Sequence, residues 1–334
     1  MKNISPAMLN LSLLALLLVL SVASLYAGAA PLDMAAVWKG LTNSEPTVEQ
    51  LILQEIRLPR LLLAILIGAA LGLTGAVMQG WLRNPLADAG LLGTSACAAL
   101  GSVLTLYFGV ATANTYVLPL AGITGAFASI ALIYLLAGKQ RDVLTLILIG
   151  VALQYAASAG ISLALNYAPN PHAALEITFW LMGSLKDRAM QHVYICIPLI
   201  ILGLCLLLSL GRGLDALSLG ETTAKSLGVD MRKLQLLIVL GTALCVGSST
   251  AIAGSISFVG LVVPHLLRPL VGHLPSRLLL PSLLAGACLL LSADITVRLI
   301  SALQELKLGV LTSVIGAPFF IYLLLSSRKH KGGI

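Results

Sequence analysis

Long apolar runs alternate with short polar connections along almost the whole chain. Runs bounded by charge, proline or glycine clusters fall near residues 8–28, 58–80, 91–108, 116–137 and 143–165, then near 193–210, 234–252, 255–267, 278–293 and 308–325. Most are close to the ~20 residues that a helix needs to cross a bilayer. Stretches such as LLLAILIGAALGLTGAVM also lack the apolar–polar alternation of a membrane barrel strand. The pattern predicts an all-α, polytopic membrane protein of about ten helices, a single transmembrane domain over residues 1–334. The eighth run, with 13 residues, covers only about 20 Å, so neighbouring helices are expected to shield it. The first run stands behind Lys2 and ends near an AGAA sequence resembling a signal-peptide cleavage site. Its length fits a span better than the ~7–15 residues of a signal-peptide core.

Composition sharpens this picture. Of the 334 residues, 58% are hydrophobic and 10% charged, and the mean hydropathy is +1.00, which excludes a water-soluble enzyme. The net charge of +7 resides between spans, as a topology signal does, so no nucleic-acid partner is expected. With the N-terminus inside, the cytoplasmic side carries Lys2, Arg83, Lys139, Arg141, Arg212, Lys225, Arg232, Lys233, Arg268, Arg277, Arg328, Lys329 and Lys331. The opposite side carries Lys39, Arg57, Arg60, Lys186, Arg188, Arg298 and Lys307. This imbalance places both termini in the cytoplasm. The five cysteines lie inside apolar runs without a CxxC pair, and the five histidines are scattered. Neither a disulfide framework nor a metal site is expected. No GxxxxGK[ST] phosphate loop occurs, so no nucleotide site is assigned to this chain, and no catalytic residue or cofactor is assigned. An ion-coupled secondary transporter would carry acids within its spans; here the acids lie nearly all in loops, with Asp294 near a helix end.

Three connections, at 29–57, 166–192 and 211–233, are long enough to have structure of their own. In the last, Leu214, Leu217, Leu219, Ala224, Leu227 and Val229 alternate with Asp215, Glu221 and Lys225. This suggests one or two short amphipathic helices along the membrane face, either docked against a partner or resting on lipid. The second span repeats a small residue every four positions, Ala64, Gly68, Gly72, Ala76 and Gly80, a close-packing stripe that suits intramolecular contact before a dimer seam. After it, Pro85 ends the helix and Asp88 is placed to cap the next. Gly68, Ala70 and Leu71 match Gly241, Ala243 and Leu244 in spacing, a hint of an inverted repeat. On the fifth span Gln154, Ser158 and Ser162 share one face, which suits either a polar lining or hydrogen-bonded packing.

The ordered set RLPR at 57–60, RNPLAD at 83–88, LGETTAKSLGV at 219–229, GSISFVGLVVPHLLR at 254–268, ADITVR at 293–298 and LGVLTSVIGAPFF at 308–320 resembles the FecCD-type permeases. These are the membrane subunits of bacterial ABC importers for iron chelates, haem and corrinoids. The resemblance implies a type II ABC importer permease fold in the inner membrane, with two cytoplasmic ABC ATPase subunits, a periplasmic substrate-binding protein and a second permease subunit, expected to be a second copy. An iron-siderophore cargo is the first expectation, haem or a corrinoid the alternative. It also implies that Leu217, Gly220, Glu221, Ala224, Leu227 and Gly228 belong to an ATPase-coupling segment within 211–233. Arg57, Arg60 and Arg298 would dock the binding protein, simple snorkelling being the competing reading, with Asp294 four residues away able to neutralise Arg298. The path would run along the fifth and tenth spans, past Gln154, Ser158 and Ser162, with a gate around Lys139-Gln140-Arg141-Asp142, where Asp142 is unexpectedly polar.

Overall fold

The structure is a computed structural model that describes residues 5–28, 48–138, 142–300 and 306–331, with side chains described through Ile321. The expected positions Lys2, Lys39, Lys139, Gln140 and Arg141, and most of the 29–57 connection, lie outside the described residues. Seven helices are long and apolar enough to cross a membrane: α1 (Pro6–Tyr26), α2 (Val48–Trp81), α4 (Val117–Ala137), α5 (Val143–Asn166), α7 (Met190–Leu208), α10 (Met231–Ala253) and α12 (Pro275–Ile300). Three shorter apolar helices, α3 (Thr94–Tyr107), α11 (Val259–Val271) and α13 (Leu308–Lys331, apolar over Leu308–Ile321), complete the ten expected segments. Three further short helices join them: α6 (Pro171–Leu181), α8 (Gly211–Ser218) and α9 (Glu221–Ser226). No strand occurs among the described residues.

Burial divides the bundle into centre and periphery. The best apolar windows of α2 and α10 are 83% buried, against 11% for α1 and 17% for α5. The small-residue stripe explains the central position of α2. A Cβ at Gly68 would lie 2.4 Å from the Gly286 carbonyl oxygen, and one at Gly72 2.2 Å from that of Ser282. A Cβ at Gly75 would lie 1.8 Å from the Gly260 oxygen. The stripe is thus the seam of α2 against α12 within one chain, with Gly75 beside it admitting α11, and backbone approach rather than a hydrophobic drive supplies the packing.

Two spans differ from their expected bounds for local reasons. The eighth begins at Val259 rather than near residue 255, because Gly254 (φ 73°) and Phe258 (φ 69°) both take positive φ and the chain between them does not coil. The Phe258 ring occupies the space where Gly316 has no side chain, which holds this costly conformation in place. The ninth continues past residue 293 to Ile300, since Asp294 and Arg298 pair one turn apart instead of leaving the bundle. Asp88 caps as expected, but it caps the 3₁₀ turn Ala89–Leu92, accepting from Gly90 N at 2.8 Å, and α3 starts only after Gly93 in the left-handed region.

Candidate functional site

The two ends and the middle of the bundle each gather polar residues. At one end, α8 and α9 form a short elbow. Gly220 (φ 110°) supplies the bend between them, and Gly228 (φ 85°) closes the second helix, conformations that a Cβ would strain. The elbow rests on the bundle through Leu214, Leu217 and Ala224, which are buried, and through Asp215, whose Oδ1 accepts from Ser276 N at 2.8 Å. Its far side presents Leu219 and Leu227, 66% and 63% exposed. Glu221 and Lys225 pair at 2.8 Å in the same helix, both half-exposed. The six residues expected to couple therefore divide: Leu217 and Ala224 hold the element, Gly220 and Gly228 shape it, and Glu221 and Leu227 face outward.

Beside the elbow, Arg268 donates from Nη2 to Gln79 Oε1 at 2.7 Å. The Gln79 amide reaches the Gly260 and Leu261 carbonyls at 3.4 and 3.3 Å. The last turn of α2 is thereby tied to both ends of α11. The arginine of GSISFVGLVVPHLLR thus has a structural task, and its partner Gln79 carries no local sequence signal.

At the opposite end, Arg57, Arg60 and Arg298 converge on one cavity of about 490 Å³ that Lys186 and Lys307 also line. Their side chains are largely engaged. Arg57 donates from Nη1 to the Leu25 carbonyl and is 3% exposed. Arg298 donates to the Ser24 and Ala27 carbonyls at 2.9 and 3.0 Å and to Ser24 Oγ. Both guanidiniums therefore satisfy carbonyls at the C-terminus of α1, groups that a helix leaves without partners, where a cation is also favoured. Asp294, fully buried, meets Arg60 Nε at 2.8 Å and lies 3.0 Å from Arg298 Nη2. The second contact is an ion pair without hydrogen-bond alignment, since Asp294 Oδ2 has no hydrogen-bond partner. Arg60 alone of the three has no other partner among the described residues and still lines the cavity.

In the middle, Gln154 and Ser158 line a second cavity of about 510 Å³ together with Asp88, Ser95, Ser255, Ser257 and the Phe258 turn. Gln154 is the twelfth of the 24 residues of α5, so this cavity lies near mid-depth. Non-helical backbone survives at such depth only inside protein or beside a wet cavity, and the turns at 88–93 and 254–258 meet that condition. Asp142 and Ser162 are not brought to the cavity. Asp142 is exposed and caps α5 by accepting from Thr145 N at 2.6 Å, and those hydrogen bonds to Thr145 hold its carboxyl below the usual range. Ser162 donates to the Ser158 carbonyl at 3.0 Å.

No group of three or more potential metal ligands occurs among the described residues. Residues 16–326 match the FecCD transport family. The chain belongs to that family. It is 36% identical to the hemin transport system permease protein HmuU of Yersinia pestis, over 99% of each chain. It is 41% identical to the Fe(3+) dicitrate transport system permease protein FecD of Escherichia coli, over 91% of this chain and 94% of that one. It is 39% identical to the vitamin B12 import system permease protein BtuC of Vibrio cholerae, over 94% and 92%. A solved metal-chelate type ABC transporter in an inward-facing conformation superimposes with a TM-score of 0.85 at 35% identity, covering 96% of this chain and 99% of that one. The protein is an ABC importer permease, a multi-pass membrane protein that is not itself an enzyme.

Proposed function

We propose that this permease carries an iron chelate of the siderophore type inward across the bacterial inner membrane by alternating access, driven by two ABC ATPase subunits that bind the α8–α9 elbow. The observation that carries this reading is the elbow itself: a rigid, glycine-bent support whose outward side offers Leu219, Leu227 and Glu221 to a partner. The charge imbalance between connections supports a cytoplasmic position for this end and both termini, and an outward one for the arginine end. There a periplasmic binding protein docks on the basic cavity, with Arg60 as the guanidinium that keeps donors in reserve. Arg57 and Arg298 shape the cavity while anchoring α1.

A second permease subunit, identical in the simplest assembly, covers the exposed face of α5. Leu144, Leu148, Tyr155 and Leu163 stand 59–72% exposed on that helix, around the polar positions Gln154 and Ser158, so a two-fold partner encloses the mid-depth cavity between two copies. The relatives that transport hemin and vitamin B12 favour haem or a corrinoid as the alternative cargo.

The test is to purify the tagged chain with its partners, reconstitute it in liposomes and measure ATP hydrolysis and radiolabelled chelate uptake. Chelate-stimulated hydrolysis coupled to uptake is expected. Uptake that proceeds with no ATPase subunit present would point instead to a secondary transporter.

A further inference from the structure

The mid-depth cavity has a chemical character that bears on its cargo. Its polar side chains are Asp88, Ser95, Gln154, Ser158, Ser255 and Ser257, set among Leu71, Ile161, Val246, Phe258 and other apolar walls. Asp88 is the only ionisable residue among the described lining residues, none of which is a lysine, arginine or histidine. Asp88 gives Oδ1 to Gly90 N, and its Oδ2 lies beside Gly260, 3.5 Å from where a Cβ there would stand. Ser95 Oγ shares a hydrogen bond with Thr250 Oγ1 at 3.0 Å. This contrasts with the outer cavity, which five basic side chains line and where Arg60 and Arg298 share one buried acid, Asp294.

Resting on the reading of this chain as a chelate importer, we propose that the mid-depth cavity is its cargo subsite and selects by charge: hydroxyls, one amide and one carboxylate, without a cation, favour neutral, hydrogen-bonding chelates over polyanionic ones. In a low-dielectric bundle an anionic chelate needs a counter-charge, and this lining offers none. A two-fold partner would double the carboxylates and leave the cations at zero. Among the described lining residues Asp88 alone can change its charge. Protonation would turn the lining from negative to neutral, never to positive, so the preference keeps its direction over the working pH range.

The test uses the permease–ATPase complex in nanodiscs without binding protein, so that the pore alone selects. Retention of two radiolabelled probes is compared: a neutral ferric trihydroxamate and anionic ferric dicitrate. The wild type should retain the neutral probe in preference. Asp88→Asn keeps the acceptor for Gly90 N, and Gln154→Lys places a cation in the cavity lining, with intact assembly of the permease–ATPase complex checked by size-exclusion chromatography. Each should shift the retention ratio about fivefold towards the anion, the effect of one unit charge at about 8 Å in an effective dielectric of about 40. Wild-type preference for dicitrate, or a ratio that stays within about twofold in both variants, would overturn the charge-selection proposal and leave the importer reading standing. Failure of the complete system, with binding protein and ATP, to take up either probe would instead defeat the siderophore-type cargo reading and this proposal with it.

Discussion

Replacing Asp294 with asparagine removes one charge, that of a fully buried acid, from a largely buried three-residue cluster and almost no volume. Its carboxylate stands 2.8 Å from Arg60 Nε and 3.0 Å from Arg298 Nη2, with those arginine side chains only 13% and 8% exposed. At an effective dielectric of about 20, each contact amounts to roughly 6 kcal/mol of Coulomb attraction before desolvation is subtracted. Breaking a buried pair by removing one partner typically costs about 3–5 kcal/mol, because the other charge is left uncompensated. Asparagine keeps an acceptor for Arg60, and Arg298 keeps the Ser24 and Ala27 carbonyls, so we expect the lower end, about 3 kcal/mol. Unfolding in detergent micelles, followed by circular dichroism, measures it. A double-mutant cycle with Arg298→Gln isolates the pair, and the double variant should recover at least about 1 kcal/mol relative to the sum of the singles. A loss below about 0.5 kcal/mol for Asp294→Asn, or strict additivity in the cycle, would refute the idea that this acid holds α1, α2 and α12 together.

The glycines of α2 give a sharper contrast. Gly75→Ala puts a Cβ 1.8 Å from a backbone oxygen of α11 and should cost more than about 3 kcal/mol, seen as lost accumulation of monodisperse protein. Gly80→Ala meets nothing nearer than Pro275 Cβ at 3.4 Å and should be neutral or stabilising by up to about 1 kcal/mol. Asp142 separates a capping role from a gating role. Asp142→Asn should preserve both hydrogen exchange in the first turn of α5 and transport, whereas Asp142→Ala should speed that exchange. The carboxyl of Asp142 is held below its ordinary range by Thr145. The contribution of the charged cap is therefore complete above the ordinary carboxylate pKa and lost only as the pH falls through the lowered value. Transport between about pH 6 and 8 should not vary through this residue; a titration of transport there that Asp142→Asn abolishes would restore the gate reading.

Much of the bundle could be read directly from the chain, because a membrane span is written in composition and length. All ten segments, the intramolecular use of the Gly68–Gly72 stripe and the paired short helices at 211–226 follow from apolar runs, small-residue spacing and amphipathic alternation. Bounds failed where long-range contacts override local signals. Phe258 takes a positive φ because Gly316, 58 residues later, leaves room for its ring. Charges at Asp294 and Arg298 look like a helix end until Arg60 and Ser24 arrive from other helices. The same limit applies to the sites. Gln154 and Ser158 are legible as one polar face, but Asp88, Ser95, Ser255 and Ser257 join them only through the fold. Arg57 and Arg298 show their charge in the sequence and hide the α1 carbonyls that absorb it.

The account rests on the α8–α9 elbow being the surface through which a separate motor drives this permease. Leu219 and Leu227 are 66% and 63% exposed and do not support the bundle, so a Leu219→Asp/Leu227→Asp double variant should fold and insert as the wild type does. The deciding measurement is ATP-driven chelate uptake by this variant in liposomes containing the ATPase and the binding protein. We expect uptake to fall at least about tenfold, with chelate no longer stimulating hydrolysis and the ATPase no longer co-purifying. Uptake and stimulation at wild-type levels in a variant that carries both aspartates would contradict it.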